Sequence, residues 1–263
     1  MAFEHILFSV EEGIARISLN RPETLNSFHK AMHLEMYQAL EQVSQDSSVR
    51  VLLLSGEGRG FCAGQDLSDP LVKPADPMPD LAPVIERFYN PMLEKLSNLP
   101  MPTICAVNGI AAGAGANIPL ACDFVIAARS AKFIQAFCKI GLIPDSGGTW
   151  FLPRLVGMAR AKQLAMLGEP LSAEKALEWG MIYSVVDDEE LQAEATKLAT
   201  HFANQPTLGL ALTKQALAAS QTNDLSAQLE LEKQLQSQAG ASADYREGVM
   251  AFIEKRPAQF SGK

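Results

Sequence analysis

The sequence predicts an α/β fold, with a core of alternating strands and helices over residues 1–195 and a helical region over residues 196–263. Three observations carry this reading. Short apolar runs at 14–19, 49–54 and 103–107 are separated by segments with helical spacing. Glycine-rich stretches follow directly on strands, at 60–66 and 109–117. Beyond Ala193 the strand pattern stops and apolar residues return at helical steps.

Taken in order, residues 6–10 and 14–19 flank Glu11-Glu12-Gly13 as a hairpin, with Ala15, Ile17 and Leu19 alternating with Arg16 and Ser18. Asn20-Arg21-Pro22 ends it, and Asn26 or Ser27 is expected to cap a helix carrying Phe28, Met32, Met36, Leu40 and Val43. The run at 49–54 is more continuously apolar than a half-exposed strand needs, so burial on both faces is expected. Pro70, Pro74, Pro77, Pro79 and Pro83 keep 68–83 irregular, as a long loop or flap. A helix is expected at 84–96, strands at 103–107, 124–127 and 132–135, and helices from Ala159 around one more strand at 181–186. The C-terminal helices fall at 193–204, 206–220, 225–238 and 243–254. Their apolar positions, among them Leu212, Leu229, Val249 and Phe252, need cover from the core or from another subunit.

Composition narrows the class. A chain of 263 residues with 48% hydrophobic content can bury a large core, which excludes a wholly disordered protein. Its net charge of −8 gives no general attraction for nucleic acid or anionic lipid. The start, MAFEHILFSVEEG, lacks the basic residues and long apolar run of a secretory signal, and 103–121 carries Asn108, Asn117 and Pro119. A cytoplasmic protein is the expectation. Cys62, Cys105, Cys122 and Cys138 form no CxxC pair, so no metal site, redox dithiol or disulfide is expected. His29 and His33 are read as surface residues of a helix, Glu86 and Glu94 as a solvated face, and Asp123 as a turn anchor.

Chemistry concentrates in three loops. In 60–66 and 113–115 the missing side chains let backbone amides approach a ligand. Two such amides would stabilise a negatively charged oxygen, especially if the second loop opens a helix near Ala116. Tight helix–strand packing selects the same small residues. The third loop places Asp145 among proline, glycine and apolar neighbours, where a raised pKa would suit a proton shuttle. Taken by itself, the local pattern favours a helix N-cap. Asp66 has the same two readings, ligand binding or a cap.

Four motifs in this order resemble the crotonase (enoyl-CoA hydratase/isomerase) superfamily: residues 20–26, 60–67, 106–115 and 141–148. The resemblance spans essentially the whole chain. It implies a spiral of ββα units over 1–195, with 196–263 as a helical region that forms trimers, or dimers of trimers, and covers coenzyme A. It assigns the two thioester-oxygen amides to Ala63 and Ala114, and puts coenzyme A against Arg21, Thr24 and Leu25 and against Ala63, Gly64, Gln65, Asp66 and Leu67. Phe252 and Lys255 would reach the coenzyme, from the same or a neighbouring subunit. The implied partners are an acyl-CoA thioester, further copies of the chain and enzymes of its pathway, with no cofactor beyond the coenzyme A of the substrate.

Departures from the family pattern shape the activity. The two glutamates that hydratases use correspond to Asn117 and Phe137, so water addition by two carboxylates is not expected. Asp145 stands where isomerase-type members carry their catalytic aspartate, which reverses the preference for a cap. Residues 86–91 and 242–263 resemble the subgroup that isomerises ring-epoxide thioesters of phenylacetate catabolism to the oxepin. A shift of a 3-enoyl to a 2-enoyl double bond would use the same groups. Asn117 and Phe137, and less strongly Phe61 and Phe133, are expected to orient or enclose the acyl group. A hydratase or another lyase of this fold, and a non-catalytic acyl-CoA-binding scaffold, are the alternatives.

Overall fold

Alternate strands of this chain are dealt to two different sheets. The computed structural model describes residues 3–263. The expected hairpin, β1 (Ile6–Glu11) and β2 (Ile14–Leu19), is antiparallel, and β2 then runs parallel to β3 (Val51–Gly56). The next strands are β4 (Gly60–Cys62), β5 (Thr103–Val107), β6 (Ile110–Ala112), β7 (Phe124–Ala128) and β8 (Lys132–Ile134). β9 (Leu171–Ser172) and β10 (Ser184–Val186) complete the set. A six-stranded sheet takes β1-β2-β3-β5-β7-β10 in that order, and a four-stranded sheet takes β4-β6-β8-β9. Each of the pairs β3/β4, β5/β6 and β7/β8 therefore gives one strand to each sheet. Parallel neighbours stack these pairs into a spiral. This is the ββα spiral that the family resemblance implies.

Burial explains the apolar run at 51–54. Val51, Leu52, Leu53 and Leu54 are all buried, because β3 lies inside the sheet between two parallel neighbours, β2 and β5. Helix Lys30–Gln45 covers one side with Met32, Met36, Ala39, Leu40 and Val43. Its cap differs from expectation. His29, not Asn26 or Ser27, stands at the N-cap, and its Nδ1 accepts from the Met32 amide. Asn26 and Ser27 lie upstream and are buried for another purpose.

The proline-rich stretch is irregular up to helix Ala82–Val84. The helix expected at 84–96 then splits into a π-helical turn, Ile85–Tyr89, and an α-helix, Asn90–Ser97. The helix at 191–203 crosses the expected boundary at residue 195. It buries Leu191, Ala195, Ala199 and Phe202, and Phe202 meets Phe124 of β7 with ring centroids 5.0 Å apart. By packing it belongs with the core. The three helices that follow are Thr207–Ala219, Leu225–Gly240 and Ala243–Glu254.

The last helices are tied back to the core. Arg50, just before β3, donates to the carbonyls of Phe260 and Gln205 and to the Thr207 hydroxyl. Buried Asp244 accepts from the Ser261 amide and hydroxyl and from the Gly262 amide. No described helix is long and apolar enough to cross a membrane.

Candidate active site

Asn26 organises the first two loops. Leu25 and Asn26 both have left-handed φ, 52° and 56°, a strained pair for residues other than glycine. The buried Asn26 amide holds them there: its Nδ2 donates to the carbonyls of Glu57, Gly60 and Phe61, and its Oδ1 accepts from the Arg21 amide. The sequence reading had Asn26 only as a helix cap. Two successive non-glycine residues in left-handed conformation leave no signature in composition, so this role was hidden.

Arg21 and Asp66 pair with each other. Both terminal nitrogens of Arg21 lie 3.1 Å from Asp66 Oδ2, and Nη1 also donates to the Ser27 carbonyl. Asp66 further accepts from the Ser68 amide and hydroxyl, and these bonds hold its carboxyl below the usual aspartate range although burial opposes them. Both side chains thus brace the loop. Thr24 bonds the Arg21 carbonyl through its hydroxyl, while Leu67 is exposed.

The geometry corrects one amide assignment. The Ala63 N–H donates to the Leu25 carbonyl at 2.9 Å, so it is not free to receive a substrate oxygen. Two residues on, Gln65 sits in a parallel bridge to Phe28 that uses the Gly64 carbonyl and the Asp66 amide. That pattern leaves the Gln65 N–H without a partner among the described residues. The Ala114 N–H is likewise free, at the first position of helix Ala114–Asn117. That helix opens at Ala114, two residues earlier than expected. Gly64 allows the approach: at φ +90° its absent Cβ would lie 2.9 Å from the Ala112 carbonyl and 3.3 Å from the Ala114 nitrogen. Gln65 and Ala114 therefore present two unpaired amides from adjoining loops.

Asp145 is held by its backbone, leaving its carboxyl available. Asn117 Nδ2 donates to the Asp145 carbonyl at 2.8 Å, and Gln135 Nε2 donates to Asn117 Oδ1 at 2.8 Å. The helix that begins with the Ala114 amide thus ends in the residue that fixes the Asp145 loop. The N-cap of helix Gly148–Val156 is Gly147, with no side-chain bond to the first turn. The cap reading of Asp145 fails. Among the described residues its carboxylate accepts from the Ser146 hydroxyl at 2.9 Å, and burial raises its pKa above the ordinary aspartate value.

The other expected pocket residues divide. Asn117 is fully buried with both ends of its amide engaged, one on the Asp145 carbonyl and one with Gln135. Phe61 and Phe133 are core residues. Phe137 does border the amides, its ring tip 3.9 Å from where a Cβ on Gly113 would stand. Phe252, on helix Ala243–Glu254, is 85% exposed, and Lys255, which caps that helix, is also exposed; neither is bonded to the loops above. His33 is a correction: it is 2% exposed, packed on Phe28, Phe88 and Tyr89, and burial lowers its pKa to about 4. Cys62 is buried, donates to the Asn26 carbonyl, and has its thiol pushed up to about 12 by burial, which makes it a poor nucleophile. Asp123 anchors its turn as expected, through Thr103 and Lys214.

The chain is similar to known proteins over nearly its whole length. Residues 9–263 match the family described as enoyl-CoA hydratase/isomerase. The chain is 60% identical over 260 residues to the 1,2-epoxyphenylacetyl-CoA isomerase of Escherichia coli K12, covering 99% of each chain. It is 37% identical to the trans-2-decenoyl-acyl-carrier-protein isomerase of Streptococcus mutans, covering both chains completely. Among solved structures, an enoyl-CoA hydratase from Bacillus anthracis superimposes with a TM-score of 0.90 at 34% identity, over 99% of this chain and 100% of that one.

Proposed function

This chain belongs to the enoyl-CoA hydratase/isomerase family, and from that premise we propose that it isomerises 1,2-epoxyphenylacetyl-CoA to the oxepin thioester. The observation that carries the reading is a buried carboxylate, Asp145, whose loop is clamped by Asn117 at the end of the helix that opens with the unpaired Ala114 amide, where two-carboxylate hydration has no second carboxylate.

The thioester oxygen is received by the N–H groups of Gln65 and Ala114. Negative charge that develops on this oxygen is stabilised there, which lowers the cost of removing a proton from the adjacent carbon. Asp145 takes that proton and returns it, so no atom is gained or lost. In the epoxide substrate the ring carbon–carbon bond under the oxygen opens and the ring expands to seven members. With a 3-enoyl thioester the same base removes a proton at C2 and returns it at C4, moving the double bond. A raised pKa suits Asp145 to both halves of this transfer.

The rest of the reading follows from the same premise. Coenzyme A enters as part of the substrate, against the backbone of Arg21, Thr24 and Leu25 and of Gly64 to Leu67, with Phe137 bounding the acyl group. Phe252 and Lys255 meet the coenzyme in a homotrimer or dimer of trimers, which their exposure supports. The enzyme works in the cytoplasm, where its four free cysteines suit a reducing medium.

Asp145→Asn is the decisive variant. It keeps the shape and the Ser146 bond but removes the base, so isomerisation and exchange of the α-proton into heavy water should fall about 10²–10⁴-fold. Binding of phenylacetyl-CoA should survive. A variant that isomerises and exchanges near the parental rate would sink the mechanism.

A further inference from the structure

Gln65 faces two ways. Its main-chain N–H is unpaired, while its side chain is turned into a buried aromatic cluster. There its Oε1 accepts from the Tyr89 hydroxyl at 2.9 Å and lies 3.4 Å from His33 Nε2. Because Oε1 is an acceptor, His33 must carry its proton on Nε2 to bond it, and the buried Nδ1 is left without a partner. Tyr89 is 2% exposed, and its phenol is raised well above the usual value, so it stays protonated and a donor.

Tyr89 reaches Gln65 from an unusual piece of backbone. It closes the π-helical turn Ile85–Tyr89, between the proline-rich loop and helix Asn90–Ser97. π-Turns are rare and recur at functional sites. Phe28 ties the arrangement further: its ring packs on His33, and its own N–H and C=O bracket Gln65 by bonding the Gly64 carbonyl and the Asp66 amide.

We propose that Tyr89, assisted by His33, is a positioning residue for catalysis, fixing through the Gln65 side chain the direction of the Gln65 amide that receives the thioester oxygen. Without the two donors, the Gln65 side chain loses its anchor in the cluster, and the Gln65 amide is held by the Phe28 bonds alone. The inference rests on the oxyanion role of that amide proposed above, and it concerns the rate of the chemical step, since the ground-state carbonyl is bound chiefly through the coenzyme.

The test uses Tyr89→Phe, which keeps the ring and its packing, with Gln65→Met as the second variant and the double variant to close the cycle. Phenylacetyl-CoA carrying ¹³C at the thioester carbon is the probe, its carbonyl band read by infrared difference spectroscopy on the intact protein. In the parent the band should shift to lower frequency on binding. In Tyr89→Phe the shift should shrink and kcat should fall about tenfold, as for a modest misplacement of a catalytic donor. The Kd for the probe should stay within a few-fold. The two substitutions should be strongly non-additive, Tyr89→Phe adding little once Gln65 is methionine. A parental band shift retained in full by Tyr89→Phe, or effects that simply multiply, would overturn the positioning role alone. A parent with no shift at all would remove the amide reading itself and this inference with it.

Discussion

Burial that raises the Asp145 pKa also makes its negative charge a burden on folding at neutral pH. The folded-state value lies above the unfolded one. Below the unfolded value, about 3.9 for aspartate, both states are protonated and no penalty exists. As pH rises, the unfolded state ionises first and the penalty grows, levelling off above the folded pKa. Asp145→Asn should therefore unfold at higher urea than the parent at pH 7.5, with a gap that narrows toward pH 4. The same shift sets activity: the acid limb of kcat/KM should lie above the range of an exposed aspartate, because only the ionised form accepts the α-proton. Urea midpoints and rate profiles over that pH range check both. A variant that is less stable than the parent at pH 7.5 would mean that Asp145 has a folding role its carboxyl bonds do not show.

Short elements set the geometry around these groups. Helix Ala114–Asn117 is a single turn, yet it carries a free amide at one end and the clamp on Asp145 at the other. Gly148 makes room for that clamp, since a Cβ there would stand 2.4 Å from Asn117 Nδ2. Asn117→Ala should lower kcat by about 10²-fold through misplacement of the Asp145 loop. It should also lower the melting temperature, because it leaves the Asp145 carbonyl and the Gln135 amide without their partner, each such loss costing about 1–3 kcal/mol. Gly148→Ala should resemble it in kcat, and stopped-time product assays with phenylacetyl-CoA binding as control separate both from loss of fold. The strands of the six-stranded sheet and the order of the loops were legible in the sequence because alternation, proline and glycine report backbone directly. β4, β6 and β9 of the second sheet were missed because they are two or three residues long and β4 and β6 lie in the glycine-rich stretches. Asp145 was legible through its motif. Which amide is free was not: Ala63 and Gln65 both sit in a small-residue loop, and only the bond from Ala63 to Leu25 separates them. Asn117 looked like a pocket residue because a hydrogen bond to a backbone carbonyl 28 positions away has no local signature.

Across the whole molecule, the C-terminal helices leave apolar surface uncovered. Phe252, Ile253, Met250, Val249 and Tyr245 are exposed along one helix of the chain, while Asp244 and Arg50 anchor that region to the core. A patch of this kind on a rigidly held helix fits burial against another copy. Light scattering at micromolar protein should give a mass that is a multiple of three chains, and Phe252→Asp should shift it toward the monomer. A fully active monomer would remove the trimer from the reading. The buried Cys62 thiol has a different use. It lies under the Asn26 knot and bonds the Gly64 amide next to Gln65, so a reagent reaches its sulfur only when the two loops part. Its alkylation rate is thus a clock for that parting, and half-buried Cys122, just before β7, supplies the reference within the same molecule. Ligand that closes the loops slows the Cys62 clock and leaves the Cys122 rate alone, which turns an inert core thiol into a gauge of site occupancy in unmodified protein.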